Sequence, residues 1–336
     1  MTTTFTKDDT LILTNLSKVF WPENGFTKGD LIAYYQAIAA VILPYLKDRP
    51  QVMHRHVDGH QGKEFFQRVS RQCPAWMRIE KIVLEKKVRD YHLCNDWPTL
   101  LWLADFGCIE FIPWNSRVGS LDRPDYLVID LDPENVPFWR IVEAALLVRK
   151  ILDKAGAPGF CKTSGKRGLH IYVPLEKKIA HAQAKMLGEI IARLVNTRLP
   201  GTTSLDPRPA QRQERIYLDH SRNSRGQACA APYSVRPYPG ATVSAPLKWS
   251  EVRKGLDPSK FTIKTMPRRI DKMGDLWQGV MGTGIDLVEM IQKLEKALGN
   301  RTVKSPPGTE SAQAGRYFAM SRLECRPLEF GRSRRP

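Results

Sequence analysis

The chain has 336 residues, of which 42% are hydrophobic and 26% charged, as in a globular protein with a sizeable core. Its 52 Lys and Arg against 35 Asp and Glu give a formal charge of +17, which favours a polyanionic partner such as nucleic acid. No run approaches the ~18 apolar residues of a membrane-spanning helix, and the N-terminus lacks the apolar region of a signal peptide. Six scattered cysteines without a Cys-x-x-Cys pair exclude a zinc ribbon or a disulfide scaffold, so we expect a cytoplasmic protein with reduced thiols.

Apolar spacing predicts alternating strands and helices along the chain. The first helix begins at Thr27, which forms a capping box with Asp30, and is expected to end at Pro44. Further helices are predicted over 99–108, 141–152, 184–194 and 285–298, the last followed by Gly299, and strands over 11–13, 51–57, 79–84, 109–112, 125–133, 169–173 and 216–219. Beyond a domain at 1–300, the segment 301–336 has eight basic and three acidic residues and is expected to be a flexible basic tail.

The most informative motif is an apolar strand that ends in two carboxylates, the segment 125–133 (DYLVIDLDP). Alternation places Asp130 and Asp132 on one face with Val128, and the leucine and isoleucine side chains on the other. Two like charges side by side repel unless a cation lies between them, and Mg²⁺ and Mn²⁺ prefer carboxylate oxygen. The motif favours a two-metal phosphoryl-transfer site. Two solvated aspartates that open an Asp-Pro turn are the alternative.

A third carboxylate, Asp219, ends the predicted strand 216–219 on its polar face. If this strand is a neighbour of the one that carries Asp130 and Asp132, three carboxylates converge. Three carboxylates suit two divalent ions about 3.5–4 Å apart. Considered alone, Asp219 would be an ordinary surface residue.

A glycine-containing turn, 163–170 (TSGKRGLH), leads into the strand 169–173. Its backbone amides and the Ser164 hydroxyl are suited to cradle a phosphate, and Lys166 and Arg167 add positive charge. His170 follows on the polar face of the strand, within reach of a phosphate oxygen. The turn is not a Walker A loop, and an ordinary Ser-Gly turn with a structural histidine is the alternative.

Other side chains suit contacts with nucleic acid. Phe65 and Phe66 are adjacent, so in a strand they point to opposite faces, and we expect at least one to be exposed for base stacking. Lys18 and Lys28 are candidates for binding a terminal phosphate, and Arg236 for binding a triphosphate. Core phenylalanines and solvated basic side chains are the alternatives.

Three histidines form the pattern His54-x-His56-x-x-x-His60. The first two would share one face of a strand. Since no set of cysteines or carboxylates completes a site in the sequence, we do not predict a metal centre at these histidines.

Six motifs occur in order along the chain: 13–22 (LTNLSKVFWP), 65–67 (FFQ), 100–104 (LLWLA), 130–133 (DLDP), 163–170 and 231–236 (APYSVR). Together they resemble the polymerase domain of bacterial ATP-dependent DNA ligase D, in the archaeo-eukaryotic primase superfamily, over residues 10–300. The resemblance implies an α+β fold with a primase-type polymerase core. In that core a mixed or antiparallel catalytic sheet is flanked by helices, and the N-terminal segment 1–120 contributes DNA-end and template contacts.

The resemblance also implies a function. It indicates a nucleotidyltransferase of DNA end joining that uses two Mn²⁺ or Mg²⁺ ions. Such an enzyme adds NTPs, in preference to dNTPs, to a primer 3′-OH at gaps and double-strand breaks. Its partners would be DNA ends with a 5′-phosphate, the end-binding protein Ku and a DNA ligase activity, with a nucleoid-associated location and no membrane. By position, the implied metal ligands are Asp130, Asp132 and Asp219; the nucleotide ligands are Ser164, Lys166, Arg167, His170 and Arg236; and the DNA contacts are Asn15, Lys18, Lys28, Phe65 and Phe66.

Two positions depart from related sequences. Ile112 stands where relatives often have a polar residue, and Arg222 stands where some have glutamine; we expect neither to touch the three aspartates. No Lys-x-Asp-Gly adenylation motif is present, so the sequence does not support ligase chemistry. A metal-dependent nuclease and a non-catalytic DNA-end-binding module remain the alternative functions, and synthesis of primers de novo is a third.

Overall fold

The computed structural model describes residues 2–4 and 10–297, so Gly299 and the basic tail predicted at 301–336 lie outside the described residues. The strands are β1 Thr2–Thr4, β2 Thr10–Ile12, β3 Val19–Trp21, β4 Phe26–Thr27, β5 Gln51–His56, β6 Glu64–Gln67, β7 Ile79–Leu84, β8 Lys87–His92, β9 Cys108–Pro113, β10 Tyr126–Pro133, β11 Phe160–Thr163, β12 Leu169–Pro174, β13 Thr203–Ser204, β14 Ile216–Asp219 and β15 Pro246–Leu247. The helices are α1 Lys28–Ala37, α2 Ala39–Leu46, α3 Trp97–Asp105, α4 Phe138–Lys154, α5 His181–Arg198, α6 Met266–Met273 and α7 Leu287–Ala297.

The first predicted helix is two helices in the structure. Thr27 caps α1, and its reciprocal hydrogen bonds with Asp30 confirm the predicted capping box. The chain then bends by 82° at Ile38, between α1 and α2. The prediction that Pro44 ends the helix is wrong, because Pro44 lies inside α2 one turn before Lys47 caps it. Among the described residues, no single helix is long and apolar enough to cross a membrane. The bent pair of α1 and α2 meets the criteria of length and composition when the two helices are counted together.

The largest sheet has the strand order β13-β14-β10-β12-β11-β15. All neighbouring strands are antiparallel except β13 and β14, which are parallel, so the predicted mixed sheet is confirmed. The leucine and isoleucine side chains of β10 pack with α4 and α5 in one hydrophobic cluster. Tyr126 and Val128 belong to a second cluster on the opposite face, together with α1, α2 and α3. The predicted alternation along β10 is therefore confirmed.

A smaller antiparallel sheet, with the order β6-β5-β9, packs into the second cluster. The strand β5 is central and pairs with a neighbouring strand on each side. The helix α3 ends at Asp105, three residues earlier than predicted, because Gly107 adopts a φ of +89° and turns the chain into β9. The other short strands pair as β1 with β2, β3 with β4 and β7 with β8.

Candidate active site

The centre of the site is Asp130, on the middle strand of three. In the antiparallel ladders Asp130 faces His170 of β12 on one side and Asp219 of β14 on the other. These side chains share the sheet face opposite α4 and α5, because their neighbours in sequence pack against those helices. Asp130 and Asp219 are each only 8% exposed. The condition that the sequence left open, that the strands of Asp130 and Asp219 are neighbours, is met.

An arginine lies against the two buried carboxylates. Arg222 Nε is 3.1 Å from an oxygen of Asp219 and 3.5 Å from an oxygen of Asp130. The expectation that Arg222 does not touch the aspartates is wrong, because the 3₁₀ turn Ser221–Asn223 begins one residue after β14 ends and returns the side chain to the sheet. Burial raises the pKa of Asp130 to about 6, and Arg222 counteracts this rise.

Asp132 is placed differently from the other two aspartates. Its side chain is half-exposed, and one of its oxygens lies 3.1 Å from Arg212 NH1. The guanidinium of Arg212 in turn stacks on Tyr217, the residue that faces Asp132 across the β10–β14 ladder. The three carboxylates thus occupy the same end of the sheet, and each has an arginine beside it.

His170 connects Asp130 to a buried lysine. Lys162 Nζ lies 2.9 Å from His170 Nδ1 and also donates to Ser244 Oγ and to the carbonyl of Ala230. When Lys162 is an ammonium group, which can only donate, Nδ1 of His170 accepts and Nε2 carries the proton that points at Asp130, 3.4 Å away. Burial lowers the pKa of Lys162 to about 7, and burial together with Lys162 lowers the pKa of His170.

The predicted phosphate-binding turn is a closed loop with its basic side chains outside. Ser164 Oγ accepts hydrogen bonds from the backbone amides of Lys166 and Gly168. Arg236 NH1 donates to the Ser164 carbonyl at 2.5 Å. Lys166 and Arg167 are exposed at the loop tip. The Ser164 hydroxyl therefore shapes the loop, and the two basic residues are available to a ligand.

A cavity of about 460 Å³ joins these groups. Its lining contains Asp130, Asp132, Ser164, Lys166, Arg167, His170, Arg236 and Phe66 of the predicted residues, and His54, Glu64, Glu110, Ile112, Arg222 and Cys229 of the others. Asp219 does not line the cavity, but it contacts Arg222, which does line it. All five predicted nucleotide ligands and two of the three predicted metal ligands thus border one space.

A second cavity, of about 420 Å³, contains the predicted phosphate-binding lysines. Asn15, Lys18 and Lys28 all line it, together with Arg55. Lys18 is partly exposed and pairs with Asp58 at 2.6 Å. Lys28 is buried and pairs with Asp105 at 2.7 Å, so it is not a solvated surface lysine. The structure therefore brings these residues together, but apart from the aspartates.

The two adjacent phenylalanines are both exposed, Phe65 by 39% and Phe66 by 63%. Exposure of at least one is thus confirmed. Phe66 stacks on the ring of His54, with centroids 4.2 Å apart and an interplanar angle of 15°. Phe66 lines the first cavity and Phe65 does not, as expected for adjacent residues of a strand.

Residues 27–277 match the family model described as the LigD primase-polymerase domain. The chain belongs to this family. The bifunctional non-homologous end joining protein LigD of Bacillus subtilis is 31% identical over 267 residues, which are 79% of this chain and 43% of that protein. The multifunctional LigD of Pseudomonas aeruginosa is 32% identical over 265 residues, which are 76% of this chain and 31% of that protein. The chain therefore spans less than half the length of these relatives.

A solved structure supports the same relationship. The polymerase domain of Mycobacterium tuberculosis ligase D, in complex with DNA, matches this chain with a TM-score of 0.76 and 27% sequence identity. The match covers 82% of this chain and 99% of the other. The predicted α+β fold with a primase-type polymerase core is confirmed.

Several residues of this site were not predicted from the sequence. Lys162 stands in β11, a four-residue strand too short to recognise by periodicity. Lys162 faces His170 in the β11–β12 ladder, so the pairing of these two strands is the information needed to predict its place in the site. Glu110 is buried beside Arg236, whose Nε lies 3.1 Å away. A carboxylate within an apolar strand, as in the segment 108–113 (CIEFIP), is the signal that could have found it.

The histidine pattern requires a correction. The sequence offers no evident carboxylate for His54 and His56, but the structure places Glu64 beside both. His60 does not join them; it pairs with Glu23 at 2.8 Å and stacks on Trp21. The contact of Glu64 with these histidines could not be predicted, because it depends on the pairing of β6 with β5 in the folded chain.

Proposed function

We propose that this chain is a DNA-directed nucleotidyltransferase that adds nucleotides to a primer 3′-OH during end-joining repair. The observation that carries the proposal is the register of β10 and β14, which places Asp130 opposite Asp219 beside a basic loop. Family membership supports the same reaction class, and the names of the relatives support the role in end joining.

The three aspartates are proposed to hold two divalent ions. Their donor set is entirely carboxylate oxygen, which fits Mn²⁺ or Mg²⁺. The convergence of Asp130, Asp132 and Asp219 at one end of the sheet supports this proposal, because two divalent ions need several carboxylate ligands in one place. When bound, such ions lower the pKa of the attacking hydroxyl and neutralise charge on the leaving pyrophosphate.

The chain's own residues are proposed to position the nucleotide. Lys166 and Arg167 extend from the loop toward the cavity, where exposed cations can bind a triphosphate. Arg236 holds the loop through the Ser164 carbonyl, so it positions those residues while its own guanidinium lines the cavity. His170, held by Lys162, presents an N–H donor to the aspartate end of the same space.

The DNA is proposed to contact both faces of the β6-β5-β9 sheet. Phe66, with Phe65 beside it, offers an exposed ring on which a base can stack. Asn15, Lys18 and Lys28 border the second cavity and are proposed to bind a 5′-phosphate at the far side of a gap. A Ku-like end-binding protein and a DNA ligase are the proposed partners, since the relatives are named as end-joining proteins.

The test is primer extension on a gapped duplex that carries a 5′-phosphate, with Mn²⁺ or Mg²⁺ and either NTPs or dNTPs. We expect the primer to lengthen by the size of the gap, faster with NTPs, and not to lengthen when chelator is present. A nuclease would shorten the primer instead. An end-binding module would bind the duplex equally well with chelator and leave its length unchanged. Product formation on template without primer would indicate synthesis of primers de novo.

A further inference from the structure

One face of the β6-β5-β9 sheet carries two histidines and two carboxylates to which the proposed polymerase reaction assigns no role. His54 and His56 are two residues apart in β5, so both project from the same face. In the ladders, Phe66 of β6 and Glu110 of β9 flank His54, and Glu64 of β6 faces His56. The folded sheet therefore surrounds two imidazoles with two carboxylates from the neighbouring strands.

The ligand atoms of three of these residues converge on one point. His54 Nε2 lies 3.1 Å from His56 Nε2 and 2.8 Å from a Glu64 oxygen. The metal-ligating atoms of His54, His56 and Glu64 all lie within 4.8 Å of one another. Separations near 3 Å between neighbouring ligand atoms suit ions that bind nitrogen and oxygen at about 2.0–2.2 Å.

The group that contacts Nδ1 of His54 decides which nitrogen of this ring carries the lone pair. Nδ1 lies 3.1 Å from an oxygen of Glu110, which is buried and paired with Arg236. An ionised carboxylate only accepts, so Nδ1 donates, and in the neutral ring the lone pair of Nε2 faces His56 and Glu64. A carboxylate that fixes the far nitrogen of a histidine is the outer-shell arrangement found around metal-ligating imidazoles.

His56 supports the same interpretation. The residue is 3% exposed, and its Nδ1 has no hydrogen-bond partner among the described residues. Its Nε2 contacts Nε2 of His54, where two ring nitrogens meet and at least one lone pair must face the other ring or a cation. A cation bound between the two rings would accept that lone pair at Nε2, and Nδ1 would keep its place without a partner among the described side chains.

We propose that His54, His56 and Glu64 bind a divalent ion of the zinc class at a site separate from the three aspartates. Two imidazoles and one carboxylate suit zinc and its transition-metal neighbours, whereas the all-carboxylate set suits Mg²⁺ and Mn²⁺. The ion joins β5 to β6 and fixes the His54 ring on which Phe66 stacks. The site therefore positions the exposed Phe66 ring at the mouth of the larger cavity.

The test measures metal binding directly and does not depend on polymerase activity. Zn²⁺ is titrated calorimetrically into the full chain purified with chelator, and Co²⁺ binding is followed by its visible absorption, which is intense when coordination is tetrahedral. Both measurements use a chain that carries Asp130→Asn and Asp132→Asn, so that ions do not bind at the aspartates. We expect one equivalent of Zn²⁺ to bind, and Glu64→Gln or His56→Gln to weaken this binding by roughly tenfold or more.

His60→Gln is the matched control, because it removes a histidine of the same sequence pattern that lies outside the cluster. It should leave Zn²⁺ affinity unchanged. Glu64 is mostly exposed, so its replacement by Gln should not unfold the chain. Absence of stoichiometric Zn²⁺ binding, or equal affinity in Glu64→Gln and the unsubstituted cluster, would overturn the proposal. His54 would then be an imidazolium that simply bridges Glu64 and Glu110.

Discussion

The arrangement around Asp130 depends on a balance of charge at single residues. The carboxylate is buried next to Asp219, which by itself would disfavour the ionised form. Arg222 offsets this repulsion because its guanidinium reaches both carboxylates. A divalent ion bound there would share or displace the arginine, so Arg222 competes with the metal for the same two carboxylates.

Replacement of Arg222 by Gln should therefore increase the affinity of the site for divalent ions. We expect the Mn²⁺ concentration for half-maximal extension to fall by roughly threefold to tenfold, since an ion pair with a partly exposed arginine contributes ~1 kcal/mol. Extension rates across a Mn²⁺ titration give this value. Arg225→Gln is the control, because Arg225 pairs with Asp122 and lines neither cavity. An unchanged or raised Mn²⁺ requirement in Arg222→Gln would show that the arginine does not compete.

At the scale of elements, the loop between β11 and β12 is packed against the end of β10. A Cβ added to Gly168 would lie against the Leu131 carbonyl, between Asp130 and Asp132. The backbone of β10 cannot yield without moving the aspartates. The absence of a side chain at 168 thus sets the distance between the basic loop and the carboxylates.

Gly168→Ala should push the loop away from β10. We expect a loss of stability of about 1–3 kcal/mol from overpacking and a fall in extension rate of up to roughly 100-fold from misplacement of the phosphate-binding groups. Thermal unfolding and extension at saturating nucleotide separate these two effects. Gly201→Ala is the matched control, since a Cβ added at Gly201 would have no atom within 4 Å. A Gly168→Ala variant as active as Gly201→Ala would contradict this role of Gly168.

Local patterns were sufficient to predict these elements but not their pairing. Strands such as Ile216–Asp219 and the polar face of β10 follow from alternation, which is a property of a few adjacent residues. The contact of Asp130 with Asp219 depends on register between segments far apart in the chain, and the family resemblance alone indicated it. The positions of Arg222, Lys162 and Glu64 could not be predicted, because each depends on a turn or a short strand whose place is set by tertiary packing.

At the scale of the whole molecule, β5 separates the two cavities. His54 lines the larger cavity, and the next residue, Arg55, lines the one with Lys18 and Lys28. One strand therefore presents alternate residues to a proposed nucleotide site and a proposed 5′-phosphate site. The formal charge of +17 is consistent with a polyanion that extends over both.

This arrangement predicts that the 5′-phosphate contributes to binding of a gapped duplex through Lys18. Removal of the phosphate should weaken binding by the unsubstituted chain about tenfold, as expected for a charge-assisted hydrogen bond. Lys18→Gln should bind both duplexes with similar, weaker affinity. Lys264→Gln is the control, because it removes another exposed lysine paired with an aspartate, Asp30, outside both cavities. Full sensitivity to the phosphate in Lys18→Gln would contradict the assignment of the second cavity.

The aspartates of β10 and β14 are proposed to form one metal centre for nucleotidyl transfer, and the proposed nucleotide ligands depend on that centre. It is tested by single-turnover extension of a gapped duplex by Asp130→Asn, Asp132→Asn and Asp219→Asn, with duplex affinity measured in parallel. We expect each variant to lose extension by roughly 10³-fold or more while it still binds the duplex. Extension by any of the three at the unsubstituted rate would show that its aspartate is not part of the centre.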